Sequence, residues 1–366
     1  VNSEPRILIA GGGTGGHIIP ALAVARALVE RHNAEVLLVG TARGLESRLV
    51  PEAGFPLKLI DVGPLKSVSL MTRLNTMARL PRSIGDCKRL MREFKPGAVL
   101  GVGGYASGPA MVAALRMKIP AAVYEPNAMP GLANRLVGKR VEMAAINFPA
   151  AGKWFRNAEV TGVPVRPEFF SLPAPTGAPH LLIFGGSQGA RIFNTHMPHI
   201  IAALLSAVPG LTVLHQSGLR HAEATEAAYA TSGADRARWE VRPFLDDMAA
   251  RFARAHLILS RSGATTVAEE AAAGKPALLV PFAAATDAHQ RRNAQAMVNV
   301  GAAGMLEESE LDIPGLLLKK LTGMLNDPAS LAAMSFAART QAHPGAAERI
   351  ADRLAEMAEK QRSWRG

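Results

Sequence analysis

RILIAGGGTGGHIIPALAVARALVE, residues 6–30, decides the fold. Residues 6–10 (RILIA) read as a buried strand and the glycines after them as a tight turn. Residues 18–30 read as a helix that tolerates Pro20 in its first turn. Strand, glycine turn and helix together open a parallel α/β unit. Further strands are predicted at 35–39, 98–102 and 121–124, with a helix at 109–117. The pattern restarts at 180–184 (HLLIF), again followed by a glycine turn, GGSQGAR, and a helix. Strands at 211–215, 239–241, 257–260 and 277–280 continue it. Five prolines (Pro164, Pro167, Pro173, Pro175, Pro179) mark 164–179 as a linker. Ile350, Leu354 and Met357 stand at helical spacing in a last helix, 345–360, expected to return to the first domain. The expectation is an α/β protein of two Rossmann-like domains with parallel sheets facing across a cleft. The first spans 1–163 plus about 345–366 and the second 180–344. Ligands belong beyond the carboxyl ends of the strands.

The 366-residue length suits two cores. With 48% hydrophobic and 19% charged residues, the chain is not of the disordered class. No apolar run reaches the roughly 18 residues of a spanning helix. Residues 1–6 lack the apolar run of a secretory leader, so none is expected. The single cysteine, Cys87, excludes an internal disulfide and a multi-cysteine metal cage. No HExxH, DxD or histidine–aspartate cluster announces a catalytic metal, and no cofactor is expected. A net charge of +11 leaves nucleic acid, an anionic membrane or phosphorylated substrates as partners.

Gly11, Gly13 and Gly16 satisfy GxGxxG after a strand, a phosphate-cradling pattern. A dinucleotide enzyme needs an acid at the end of the second strand, and that strand ends Leu38-Val39-Gly40-Thr41. Thr14 and His17 add polar groups to the turn. Gly185-Gly186-Ser187-Gln188-Gly189 has the form of a serine-hydrolase elbow. Asp246 or Asp247 with His256 or His289 would have to complete its triad. Ser187 as a phosphate-binding hydroxyl near a helix N-terminus is the preferred reading. In SGATTVAEE (262–270), backbone N–H groups at 264–266 open a helix where a diphosphate can sit. Glu269, one turn in, can accept from vicinal ribose hydroxyls; taken alone it reads first as a charge that complements the helix dipole. Glu125 and Asn127 end a strand on the ligand side. Arg166 lies at the hinge, and His289 and Gln290 open a helix that Asp287 would cap.

The most basic stretch is 58–95, with Lys58, Lys66, Arg73, Arg79, Arg82, Lys88, Arg89, Arg92 and Lys95. Leu70, Leu74, Met77, Ile84, Met91 and Phe94 interleave near helical spacing. On the residues alone this reads first as a core-facing stripe beneath solvated charges. Its second reading is a docking face for an anionic bilayer. With 5% aromatics and no recognition motif, nucleic acid is not expected.

Taken together, GGGTGGH (11–17), GVGGYASGP (101–109), GVPVR (162–166), FGGSQGAR (184–191), HQSG (215–218), FLDDM (244–248), SRSGATTVAEEAAAGKPALLVPF (260–282) and HQRRNA (289–294) closely resemble the MurG family of bacterial glycosyltransferases. The resemblance implies the GT-B fold, with the donor in the second domain and the acceptor in the first. It implies inverting transfer, without a metal, of N-acetylglucosamine from UDP-GlcNAc to the 4-hydroxyl of lipid I. Thr14, Gly15, Gly16 and Asn127 then lie beside the donor sugar. Arg166 and Ser187 bind the nucleotide side, and Leu245 packs on uracil. Ala264, Thr265, Thr266, Val267 and Ala268 line the diphosphate, Glu269 takes the ribose, and Gln290 the sugar hydroxyls. His17 is the expected base and Glu125 the alternative. A UDP-GlcNAc 2-epimerase, another GT-B lipid glycosyltransferase and the serine hydrolase are the other readings. Pro126 replaces the family's usual Gln, and Val163 its usual Asn. The resemblance also places the chain on the cytoplasmic face of the inner membrane and turns the 70–94 stripe into a membrane contact. Cell-wall synthesis complexes are the implied protein partners.

Overall fold

Leu8 and Ala10 face one layer of the first sheet, while Ile7 and Ile9 face the other, and all four are buried. A strand apolar on both faces belongs inside a parallel sheet covered by helices on each side. The computed structural model describes residues 4–42, 44–63, 70–285 and 288–363; the side chains of 70–77 and 362–363 lie outside that description. The chain divides into two compact units, Val1–Pro164 with Gly345–Gly366, and Val165–Pro344.

Unit 1 carries strands β1 (Arg6–Gly11), β2 (Glu35–Gly40), β3 (Leu57–Leu59), β4 (Ala98–Gly103), β5 (Ala121–Glu125), β6 (Met143–Ile146) and β7 (Ala158–Val160). Among the described residues they form one parallel sheet in the order β3-β2-β1-β4-β5-β6-β7. One face is covered by helices Gly15–His32 and Ala346–Ser363, the other by Leu70–Phe94 and Ser107–Arg116. The first helix starts three residues earlier than its apolar spacing announces, so Pro20 falls in its second turn. The last helix buries Ile350, Leu354 and Met357 against that first helix. Asp352 fastens it there, accepting from Arg31 Nε and Nη2 at 2.9 Å each and facing His32 Nε2 at 2.7 Å.

Unit 2 repeats the plan with β8 (His180–Phe184), β9 (Thr212–Gln216), β10 (Trp239–Arg242), β11 (Leu257–Ser260), β12 (Ala277–Leu279) and β13 (Ala303–Met305). The parallel order is β10-β9-β8-β11-β12-β13. In each sheet the order reverses beside the first strand, between β1 and β4 and between β8 and β11. Two adjacent loops diverge there and leave a crevice at the carboxyl ends. The proline-rich stretch 164–179 is not a bare connector. It holds a 3-10 helix, Pro167–Ser171, whose Phe169 is fully buried edge-on to Phe252 at 5.1 Å between ring centres. Prolines set the path of that segment, and one aromatic anchors it.

The stripe on helix Leu70–Phe94 divides. Ile84 and Met91 are buried in the unit 1 core and Phe94 packs against it, so this half serves the fold. Arg82, Arg89, Arg92 and Lys95 are exposed around it. The side chains of Leu70, Arg73, Leu74 and Met77, and all of Lys66, lie outside the described residues. No described helix is long and apolar enough to cross a membrane.

Candidate functional site

The β1 and β4 turns meet at the switch point of unit 1. Gly12 N–H donates to Gly103 O at 3.3 Å. Gly104, at φ 77°, lies so close to Gly12 that a Cβ there would land on its carbonyl. Any larger residue would drive the turns apart. Thr14 ends the glycine turn as the extended N-cap of helix Gly15–His32. That places Gly15, Gly16 and His17 in the first helical turn. His17 Nδ1 lies 3.2 Å from Gly12 O and 3.3 Å from Thr14 Oγ1. With Nδ1–H donating to the carbonyl, the lone pair falls on Nε2. A Cβ built at Gly103 would stand 2.9 Å from that Nε2, so glycine leaves the space beside it.

Glu125, at the end of β5, is 2% exposed. Its Oε1 accepts from Asn127 N at 3.1 Å and Asn127 Nδ2 at 3.2 Å. Its Oε2 accepts from Gly131 N at 2.9 Å and Asn134 Nδ2 at 3.0 Å. Burial pushes the carboxyl above its usual range, and these four donors oppose the shift. Both oxygens are committed to shaping the 126–131 turn, which suits an organiser of that loop rather than a base. Pro126 and Val163 are buried where they stand.

Glu46 was not legible as a site residue. It opens helix Glu46–Glu52, beyond the end of β2, and is 1% exposed. Its carboxylate turns back onto the glycine turn and accepts the Gly13 N–H at 2.7 Å. An acid thus follows the second strand after all, aimed at backbone instead of a ribose. The signal available was a lone Glu five residues after Thr41.

At the unit 2 switch point, the loop after β8 is held against the end of β9. Gln216 Nε2 donates to Gly186 O at 3.2 Å, and Gly189 (φ 70°) is packed on the Ser217 carbonyl. Ser187 is exposed, three residues before the N-cap of helix Arg191–Ala207. The left-handed positions of its turn fall on Gly186 and Gly189, so Ser187 lacks the strained conformation of a hydrolase elbow. His256 Nδ1 accepts from His180 N, at the opposite end of β8 from Ser187. A five-residue strand rising about 3.3 Å per residue separates them, too far for a triad.

After β11, Gly263 is the N-cap of helix Ala264–Ala273. The N–H groups of its first turn, over Ala264, Thr265 and Thr266, face the crevice end of the sheet with no intrahelical acceptor. Val267 is buried and Ala268 half-buried in the next positions. Glu269 has an 18% exposed side chain with Arg166 Nη2 3.7 Å away. Burial raises its carboxyl to about 7, against the pull of Arg166. Arg166 also lies 3.6 Å from Glu168 and over the Phe169 ring at 4.8 Å. Ser262 Oγ donates to Gln290 O at 2.9 Å, and Gln290 Oε1 accepts from Phe282 N at 2.9 Å. This ties helix His289–Asn299 to the β11 and β12 turns. Asp287 lies outside the described residues. Leu245 is only 6% exposed, whereas its neighbour Phe244 is 44% exposed. The apolar surface offered on that loop belongs to Phe244, and the Leu245 side chain is packed inward.

The model of the glycosyltransferase family 28 N-terminal domain matches residues 7–146, and that of its C-terminal domain residues 180–350. An Anaeromyxobacter dehalogenans (strain 2CP-C) protein is 42% identical over 98% of this chain and 94% of its own length. It is named UDP-N-acetylglucosamine–N-acetylmuramyl-(pentapeptide) pyrophosphoryl-undecaprenol N-acetylglucosamine transferase. The crystal structure of Acinetobacter baumannii MurG aligns with a TM-score of 0.83 at 31% identity, covering 96% of this chain and 99% of that one. A crystal structure of UDP-N-acetylglucosamine 2-epimerase covers 98% of each chain at a TM-score of 0.63, but at 14% identity it shares the fold alone. Two Rossmann-like sheets, both family models and kinship along nearly the whole length agree: the chain belongs to glycosyltransferase family 28 and, within it, to the MurG family.

Proposed function

We propose that this chain transfers N-acetylglucosamine from UDP-GlcNAc to the 4-hydroxyl of the muramyl sugar of lipid I. The observation that carries it is the 42% identity, over nearly all of both chains, to a transferase named for that reaction. Unit 2 takes the donor. The first turn of helix Ala264–Ala273 supplies N–H groups and the positive end of its dipole to the diphosphate. Glu269 accepts from the ribose hydroxyls, Phe244 and the Leu245 backbone receive the uracil, and Ser187 and Arg166 complete the nucleotide side. Gln290 holds the sugar hydroxyls. Thr14, Gly15, Gly16 and Asn127 in unit 1 are assigned to the sugar as well.

In the reaction the acceptor oxygen bonds to the anomeric carbon as the bond from that carbon to the diphosphate oxygen breaks. The electron pair leaves with UDP, and His17 Nε2 takes the hydroxyl proton. The Nδ1 contact to Gly12 O supports His17 over Glu125, whose oxygens are already engaged. Attack from the face opposite UDP inverts the anomeric carbon. Incubating the protein with UDP-GlcNAc alone separates transferase from epimerase. The donor stays intact until a lipid I analogue is added; prompt conversion to the 2-epimer contradicts the reading.

The acceptor's polyprenyl chain calls for a peripheral position on the cytoplasmic face of the membrane. The exposed Arg82, Arg89, Arg92 and Lys95 support an anionic-bilayer contact. Flotation with vesicles should require anionic lipid and weaken with salt; equal flotation with neutral vesicles contradicts it. Kinship with the named transferases also supports partners among cell-wall synthesis complexes.

A further inference from the structure

The Gly12–Gly13 peptide is bonded on both edges. Its N–H donates to Glu46 Oε2 at 2.7 Å, and its carbonyl faces His17 Nδ1 at 3.2 Å. In a trans peptide these two groups point in opposite directions. A carboxylate, a peptide and an imidazole therefore stand in line. Glu46 is itself held from behind, since its Oε1 accepts from Thr41 N at 2.9 Å and Thr41 Oγ1 at 2.8 Å. Gly12 and Gly40 press against it so closely that a Cβ on either would overlap the side chain. Burial pushes the carboxyl up, yet the Gly13 and Thr41 donors outweigh it and hold it below its usual range, hence ionised.

We propose that Glu46 is a positioning residue that acts on His17 through the Gly12–Gly13 peptide. This rests on the transferase reading with His17 as base. The anionic Glu46 polarises the peptide, which strengthens the Gly12 carbonyl as an acceptor. That carbonyl keeps the proton on Nδ1 and the lone pair on Nε2. When Nε2 takes the hydroxyl proton, the resulting imidazolium still donates from Nδ1 to the same polarised carbonyl. The work a carboxylate does directly on the imidazole of a hydrolase triad is here relayed through one amide.

Glu46→Gln tests this with the side-chain volume preserved. Its amide must turn its NH2 toward either Gly13 N–H or Thr41 N–H, and one bond is lost. The folded variant should lose kcat for transfer to a lipid I analogue by at least roughly tenfold, while UDP affinity stays within about twofold. Nitrogen-15 spectra of the imidazoles, with His17 assigned by its absence in His17→Ala, should show His17 as the Nδ1–H tautomer in the wild type. They should show it shifting toward Nε2–H in Glu46→Gln. Wild-type kcat in the folded variant, parallel loss of UDP binding, or an Nε2–H tautomer in the wild type overturns the proposal. The wild-type tautomer needs only the His17→Ala assignment, so an Nε2–H wild type overturns the proposal even if Glu46→Gln does not fold. A wild type that transfers nothing to lipid I sinks the transferase reading instead, separately from the tautomer.

Discussion

What a buried carboxylate does here follows from the donors that reach it. Glu46 meets two backbone N–H groups and a hydroxyl and is a strut. Glu125 meets four donors and shapes a loop. Among the described residues Glu269 has only the Arg166 guanidinium 3.7 Å away, keeps 18% of its side chain exposed, and is pushed up to about 7 by burial. It is the one of these three left to receive ligand hydroxyls. Ribose hydroxyls donate best to the ionised form, so the UDP-GlcNAc KM should fall as pH rises through about 7, and Glu269→Gln should raise the KM and remove that trend. Unliganded stability should move the other way. The folded pKa lies above the ordinary 4.5, so this group's contribution is complete below 4.5 and is lost as pH rises through about 7. A KM independent of pH across that range contradicts the ribose role.

Elements were legible in proportion to their burial and length. The strands at 180–184 and 257–260 appear at the predicted bounds because mostly apolar runs of five and four residues before a glycine-containing turn are too short for a helix. The strands Met143–Ile146, Ala158–Val160 and Ala303–Met305 were missed, being three or four residues long without a distinctive pattern. Proline misled at 164–179, where composition said linker and a single Phe decides the packing. Phe169→Ala should destabilise unit 2 by about 3 kcal/mol or more in urea unfolding. A loss below about 1 kcal/mol would return the segment to a passive connector. The helix 70–94 stripe shows the reverse. Periodicity found the helix but could not tell core from docking face, and Ile84 and Met91 turn out to be core.

The whole molecule is one architectural idea used twice, a parallel sheet whose order reverses beside its first strand. The glycine turns were legible because close backbone approach demands glycine; Glu46 was not, because two of its three donors are backbone N–H groups that no pattern records. The +11 charge, first open to three kinds of partner, fits an acceptor that is both anionic and lipid-linked. Sugar transfer with His17 as base is within reach of one assay. Radiolabelled N-acetylglucosamine is followed from UDP-GlcNAc to a lipid I analogue, with wild type and His17→Ala side by side. The wild type should give a labelled lipid-linked disaccharide, and His17→Ala a kcat lower by about 10²–10⁴-fold at nearly unchanged UDP affinity. No labelled lipid from a wild type that binds UDP, or an undiminished kcat in His17→Ala, would contradict it.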